Sequence, residues 1–453
     1  MLYCRKVLEF IIKAALPSKI SKLVKVTLKT SEGTALKKRS RKHQLTEQTL
    51  LVTADIGKFK NWGYFRFPDG TDMPTFEFAN TGQGFKKFWS KISAVLHAHG
   101  LSDVVFGFES TGAYAEPLLH FLRARGVKLV QVNPAHSKRV KELADNSPNK
   151  TDEKDPRVIA NIVELGCALS VVIPEGVAAE LRRLSHARER SVERRTALYN
   201  QLQDLVFVLF PEFLQVMKDV TTKSARYLIA HHGTPAQLLA LSLAELTQLL
   251  RRISRGKLGQ ARAEALYHAA QESGGIAEGQ HALRLEIQEL LRLIGGSDEF
   301  ITQLEAQMLV HVVQIPYSRC LLSIPGLGAI TAASLIGEVA DFGQFQSLEE
   351  LLKYAGLNLY EISSGLRKGQ RRISKRGRPL IRKLLYFAAL RVVQKGRIFH
   401  QQYQNHLVHG MIKNKALVAI CRKLLALMFA VVRDRRDYVA EYSVSLPPLT
   451  LAA

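Results

Sequence analysis

Short apolar runs and helix-spaced apolar positions take turns along residues 49–175. Leu50–Ala54 is a continuous apolar run ending in Asp55, and Trp62–Phe67 alternates up to the turn Pro68-Asp69-Gly70. Thr75–Phe78 reads as a strand that pairs back across that turn. Phe85, Phe88, Ile92, Val95 and Leu96 share one face of a helix over Phe85–His99. Val104–Phe108 is a second buried-type run, closed by Glu109. Tyr114–Arg125 then reads as a helix and Lys128–Val132 as a strand. A hairpin followed by strand–helix alternation predicts a mixed α/β sheet covered by helices.

The period changes over residues 176–315. Leu198, Leu202, Leu205 and Leu209 fall at spacings of 4, 3 and 4, and Leu283, Ile287, Leu290 and Ile294 repeat the pattern with 4, 3 and 4. Ile301, Leu304 and Met308 resume it beyond Gly295-Gly296. These seams predict a helical hairpin or coiled-coil arm, and they leave packing within the chain and self-association equally open. Residues 316–440 read as a mainly helical, basic domain, with a tail over 441–453.

Charge narrows the function classes. The 453 residues carry a net charge of +24, yet 47% are hydrophobic, so this is a folded protein with surplus cations rather than a disordered polycation. Residues 1–48 hold 12 Lys and Arg against Glu9, Glu32 and Glu47, which reads as a solvated arm or a non-specific nucleic-acid contact. Between Glu361 and Asp434 there is no acidic residue, so an external polyanion must balance the charge, and nucleic acid is the usual one. Four scattered cysteines without a Cys-x-x-Cys pair speak against a disulfide framework or zinc knuckle and fit a reducing cytoplasm. No apolar run approaches the roughly 20 residues of a membrane span.

Three groups of residues carry candidate chemistry. Asp55 and Glu109 each close an apolar strand, and strand ends of an α/β sheet converge on a common crevice. Asp152 and Asp155, three apart, share a face if helical. Four converging carboxylates repel one another unless hard divalent cations neutralise them. Two Mg²⁺ ions about 4 Å apart would do so and would clamp a phosphodiester. Read singly, each acid is an exposed loop or capping carboxylate, with Asp155 as the N-cap before Pro156. The second group is Ile324-Pro325-Gly326-Leu327-Gly328 ahead of a helix at Thr331–Val339. It is similar to a helix-hairpin-helix, with Gly326 and Gly328 freeing backbone amides for a phosphate, or it is a plain turn. The third is Ser363-Ser364-Gly365, followed by Arg367, Lys368, Arg371, Arg372, Lys375, Arg376, Arg378, Arg382 and Lys383. Such a surround would hold a phosphate and stabilise developing charge; alternatively it is a flexible turn in a nucleic-acid-binding loop. His231-His232 reads as a helix-end pair rather than a metal site.

These pieces stand in a recognisable order. Ala54-Asp55-Ile56-Gly57, Glu109-Ser110-Thr111-Gly112-Ala113-Tyr114, Val132-Asn133-Pro134 and Lys150-Thr151-Asp152-Glu153-Lys154-Asp155 resemble the N-terminal half of the DEDD-type insertion-sequence transposases, the family that includes the Piv invertase. Ile324–Gly328, Tyr354-Ala355-Gly356-Leu357, Ser364-Gly365 and Arg372-Ile373-Ser374-Lys375-Arg376-Gly377 resemble its C-terminal domain. The resemblance implies a RuvC-like, RNase H-fold catalytic domain over 49–175, with Mg²⁺ (or Mn²⁺) on Asp55, Glu109, Asp152 and Asp155. It also implies a serine nucleophile at Ser364, with Ser363 as the neighbouring alternative. Donor and target DNA, a structured noncoding guide RNA, a homo-oligomer (dimer or tetramer) and a bacterial cytoplasmic, nucleoid-associated location follow from it as well. The chain departs from the family at Pro156, where a small residue is usual. The arm 1–48 and the stretch around 215–280 look like additions. The competing expectations are a RuvC-like nuclease or junction resolvase using activated water, and a non-catalytic nucleic-acid-binding protein.

Overall fold

A computed structural model of the chain describes residues 45–109, 112–145, 154–361, 369 and 371–440. The chain divides into two compact units, with the division after Val172.

The first unit is built on a six-stranded sheet, β1 (Thr49–Ile56), β2 (Lys60–Arg66), β3 (Phe76–Ala79), β4 (Asp103–Glu109), β5 (Lys128–Val132) and the two-residue β6 (Leu169–Ser170). Its order is β3-β2-β1-β4-β5-β6. β1, β4 and β5 run parallel, while β2, β3 and β6 pair antiparallel to their neighbours. The central strands are covered on both faces, which is why β1 and β4 read as unbroken apolar runs rather than alternating ones.

One face packs against α1 (Gly82–His99), whose Phe88 ring meets Phe65, Phe78 and Phe106. Thr81 starts this helix by accepting the Gly84 amide on its hydroxyl at 3.2 Å. The span expected as one helix over Tyr114–Arg125 is instead a 3₁₀ turn (Gly112–Ala115) followed by α2 (Glu116–Arg123). Pro117 suits the first turn of a helix and marks the restart there. After α3 (Pro134–Asp145), α4 (Asp155–Glu164) buries Val158, Ile159, Ile162 and Val163 with Leu51, Tyr64, Val105 and Val130. α4 covers the face opposite α1.

The second unit is helical. Its frame is a pair of long helices, α5 (Gly176–Leu209) and, after five shorter ones, α11 (Gln280–Val312). Arg188 bonds Glu305 at 2.7 Å and Arg195 bonds Asp298 at 2.6 Å. Seven residues forward on α5 therefore match seven back on α11, and the helices are antiparallel. The leucine seams find their partners inside the chain, where Leu202, Val206 and Leu209 share a core with Ile287, Leu290 and Ile294. α11 runs straight through Gly295-Gly296. The five short helices, α6 (Pro211–Val216), α7 (Lys223–His232), α8 (Pro235–Leu239), α9 (Leu243–Ser254) and α10 (Gln260–Gln271), close this core, and His231-His232 are the last two residues of α7. They account structurally for the stretch around 215–280.

A separate core joins Leu181 and the end of α11 to α12 (Ser318–Leu322), α13 (Ala329–Val339), α14 (Leu348–Ala355), α15 (Pro379–Val392), α16 (His400–Val408) and α17 (Lys413–Arg433). From before residue 316 this core takes in Leu181, Met308 and Val312. A short antiparallel pair, β7 (Leu359–Tyr360) and β8 (Arg372–Ile373), connects α14 to α15. Among the described residues no helix is long and apolar enough to cross a membrane.

Candidate active site

In the first unit β1 and β4 carry two of the expected acids in adjacent register. Thr53 pairs with Gly107 and Ala54 with Phe108, so Asp55 and Glu109 come next on the two strands. Thr53 bonds α4 through its hydroxyl, and a β-carbon on Gly107 would stand 3.0 Å from Val163 and 3.4 Å from Ile159. This pair therefore faces α4. Side chains alternate along a strand, so Asp55 and Glu109, two residues on, lie on that same face at the carboxyl ends.

Asp155 arrives on α4 itself. It is the first residue of the helix and only 8% exposed. The sequence expectation of Asp155 as N-cap is off by one position. Lys154 holds the cap without a side-chain hydrogen bond, and Pro156 sits second, where its missing N–H still costs the helix nothing. The helix N-terminus favours the buried carboxylate electrostatically. Asp152 lies outside the described residues. Among the described residues no three carboxylate, imidazole or thiolate groups are gathered tightly enough to hold a metal ion. Hard oxygen donors nonetheless fit Mg²⁺, which binds through one or two carboxylates and retains several waters.

A buried arginine fastens the other end of these strands, where Arg66 pairs with Leu51 rather than with Asp55. Arg66 bonds Asp72 at 2.7 Å, Asn161 at 2.7 Å, Glu164 at 2.8 Å and the Tyr64 hydroxyl at 2.9 Å. It thus ties β2 to α4 across the sheet. The Arg66 guanidinium holds the Asp72 carboxyl below the usual carboxylate range, against a smaller opposing effect of burial.

In the second unit the Pro-Gly-x-Gly turn links α12 to α13. Gly326 has φ +95°, which only glycine adopts without strain, and Gly328 caps α13. The turn packs on the last turn of α15, through Val392 and Arg391. Ser363, Ser364, Arg367 and Lys368 lie outside the described residues. Of the other expected nucleic-acid contacts, Arg372, Lys375 and Arg376 are exposed, while Arg371 pairs with Glu361 at 3.1 Å. Arg378 is half-buried and faces Glu338 at 3.9 Å. Glu338 is a residue the sequence reading missed. Its one available signal was an acid inside the otherwise apolar helix Ala329–Val339.

Known proteins bear on these two regions. A family profile described as Transposase matches residues 52–211, and one described as Transposase IS116/IS110/IS902 family matches residues 318–404. The uncharacterized 43.6 kDa protein of insertion element IS110 from Streptomyces coelicolor is 22% identical over 387 residues, covering 85% of this chain and 94% of its own. The corresponding 44.8 kDa protein of IS116 from Streptomyces clavuligerus is 23% identical, covering 89% and 98%. The pilin gene-inverting protein of Moraxella lacunata is 33% identical over 145 residues, covering 30% and 45%. The chain belongs to the IS116/IS110/IS902 family of transposases.

Proposed function

We propose that the chain is a DNA transposase or site-specific recombinase that cuts and rejoins DNA with the acids of its first unit and a serine of its second. The observation that carries this reading is the placement of Asp55, Glu109 and Asp155 at one end of one sheet face, in a chain with +24 net charge. The strand order β3-β2-β1-β4-β5, with the acids at the ends of neighbouring parallel strands, supports an RNase H-like catalytic domain.

Asp55, Glu109 and Asp155, joined by Asp152, would hold Mg²⁺ or Mn²⁺. When bound, such ions polarise a phosphodiester and stabilise the leaving oxygen. The Ser364 hydroxyl attacks the DNA phosphorus and loses its proton. A phosphoserine ester forms, and the displaced DNA oxygen takes up a proton. The ester conserves the bond energy for rejoining. Cations of residues 367–378 hold the phosphates. Donor and target DNA, a structured guide RNA and further copies of the chain are the partners of this reading.

Trapping tests it. Denaturing the full chain during reaction with element-end DNA should leave a protein–DNA adduct that Ser364→Ala abolishes. Free cleaved ends without an adduct would instead favour hydrolysis by activated water.

A further inference from the structure

The second unit carries the pattern of its glycine hairpin twice. Around the α12–α13 turn, Leu321, Ile324, Leu327, Ala332 and Leu335 are buried, and Gly328 caps the following helix. Around the α9–α10 turn, Leu250, Ile253, Leu258, Ala263 and Leu266 enter the core of the short helices, and Gly259 caps α10. The spacings agree throughout except in the turn itself, where Ile253 to Leu258 is two residues longer than Ile324 to Leu327. Gly256, at φ +80°, takes the left-handed backbone there as Gly326 does in its own turn.

The two hairpins differ in what covers them. The Gly326 turn lies against Val392 and Arg391, whereas a β-carbon added at Gly256 or Gly259 would meet nothing within 4 Å. The open hairpin is also the charged one. Arg251, Arg252, Arg255, Lys257 and Arg262 are exposed, and no acidic residue stands between Glu245 and Glu264. Among the described residues, none of the five pairs with a carboxylate. Arg262 donates to the Val216 carbonyl at 2.5 Å, two residues before the exposed Lys218. The Ser224 hydroxyl donates to the Ile253 carbonyl at 3.3 Å, which brings the exposed Lys223 to the same surface. The acids nearest in sequence are engaged locally: Asp219 accepts the Thr221 amide at 2.8 Å and Glu264 accepts Gln260 Nε2 at 2.9 Å.

Cations gathered this way repel one another until a polyanion covers them. Residues 251–262 include no aromatic side chain, so the surface has no platform on which the bases of a single strand could stack. Backbone phosphates of a double helix suit it better, because they need only charge in the right places. We propose that the α9–α10 hairpin is a sequence-independent contact for the backbone of duplex DNA. It lies between the two spans matched by the family profiles, residues 52–211 and 318–404, and gives the stretch around 215–280 a role. The proposal rests on the reading that the chain acts on DNA, and is independent of the acids and of Ser364.

The test measures binding of the full chain to duplex DNA across a series of salt concentrations, with an element end and an unrelated sequence. Arg251→Gln, Arg252→Gln and Lys257→Gln combined should weaken binding at least about tenfold, equally for both sequences, and make the log–log salt slope shallower by about 2 to 3. Lys257→Gln alone, in the turn, should change the slope by about 1 and carries the test if the triple variant does not fold. Lys86→Gln, Lys87→Gln and Lys128→Gln combined remove the same charge from exposed positions of the first unit and should leave the slope near that of wild type. Hairpin variants that bind DNA like wild type, or that lose no more than this control, would overturn the proposal. So would a loss seen with duplex RNA and not with DNA. If wild type itself binds no duplex DNA, the DNA reading fails and takes the hairpin's role with it; if wild type binds and the hairpin variants bind equally well, only that role fails.

Discussion

Thr53 donates its hydroxyl to the Pro156 carbonyl at 2.7 Å, joining residues 103 apart in sequence. The bond lies two residues from Asp55 and one from Asp155, so it fixes the helix start against the strand end. Thr53→Val keeps the shape and removes one buried hydrogen bond between strand and helix, which costs about 0.5–1.5 kcal/mol. The melting temperature of the first unit should fall, and strand cleavage should fall with it as Asp155 loses its register with Asp55. Cleavage at the wild-type rate would detach this bond from the site.

The crossing of α13 over α5 depends on Gly337. A β-carbon there would stand 2.6 Å from the Arg182 nitrogen and 2.8 Å from the Leu181 carbonyl carbon. Gly337→Ala should therefore push the helices apart at a cost of about 1–3 kcal/mol or more, read as a lower unfolding midpoint.

The pairing of α5 with α11 can be checked by exchange. Arg188→Glu or Glu305→Arg alone places like charges together and should lower stability by about 0.5–1 kcal/mol, while the double exchange should restore most of it. No coupling in the double-mutant cycle would contradict the antiparallel register.

Acid should weaken the second unit through Glu338. Burial alone would raise its carboxyl, but His186, Arg182 and Arg378 together bring it below the ordinary value of 4.5. The folded chain then binds fewer protons than the unfolded one, so the stabilisation is full above that ordinary value and is lost as pH falls through the lower folded value. Melting curves taken between about pH 7 and about pH 3 should show wild type losing more stability than Glu338→Gln on the acid side. Parallel losses in the two proteins would show that Glu338 is not the group responsible.

The sheet was legible because its strands are short apolar runs between turn residues, and Lys128–Val132 falls on its expected bounds. The long helices were legible from their leucine seams, but spacing alone does not choose between a partner in the same chain and one in another. Asp55 and Glu109 stood out as acids ending apolar strands. Glu338 did not, since Arg182 and Tyr354, which meet it in the fold, lie 156 and 16 residues away in sequence. Arg66 was hidden likewise, because an arginine closing a strand looks solvated until Glu164, 98 residues on, folds over it. Buried ionic clusters assemble from distant segments, and local pattern shows at most a lone charge in apolar surroundings, not its partners.

That Asp55, Glu109 and Asp155 form one cation-holding site is tested most directly by calorimetric titration of the full chain with Mg²⁺, beside Asp55→Asn. Wild type should bind, and the variant should bind at least about tenfold more weakly because one charged ligand is gone. Equal affinity in the two proteins would contradict a shared site.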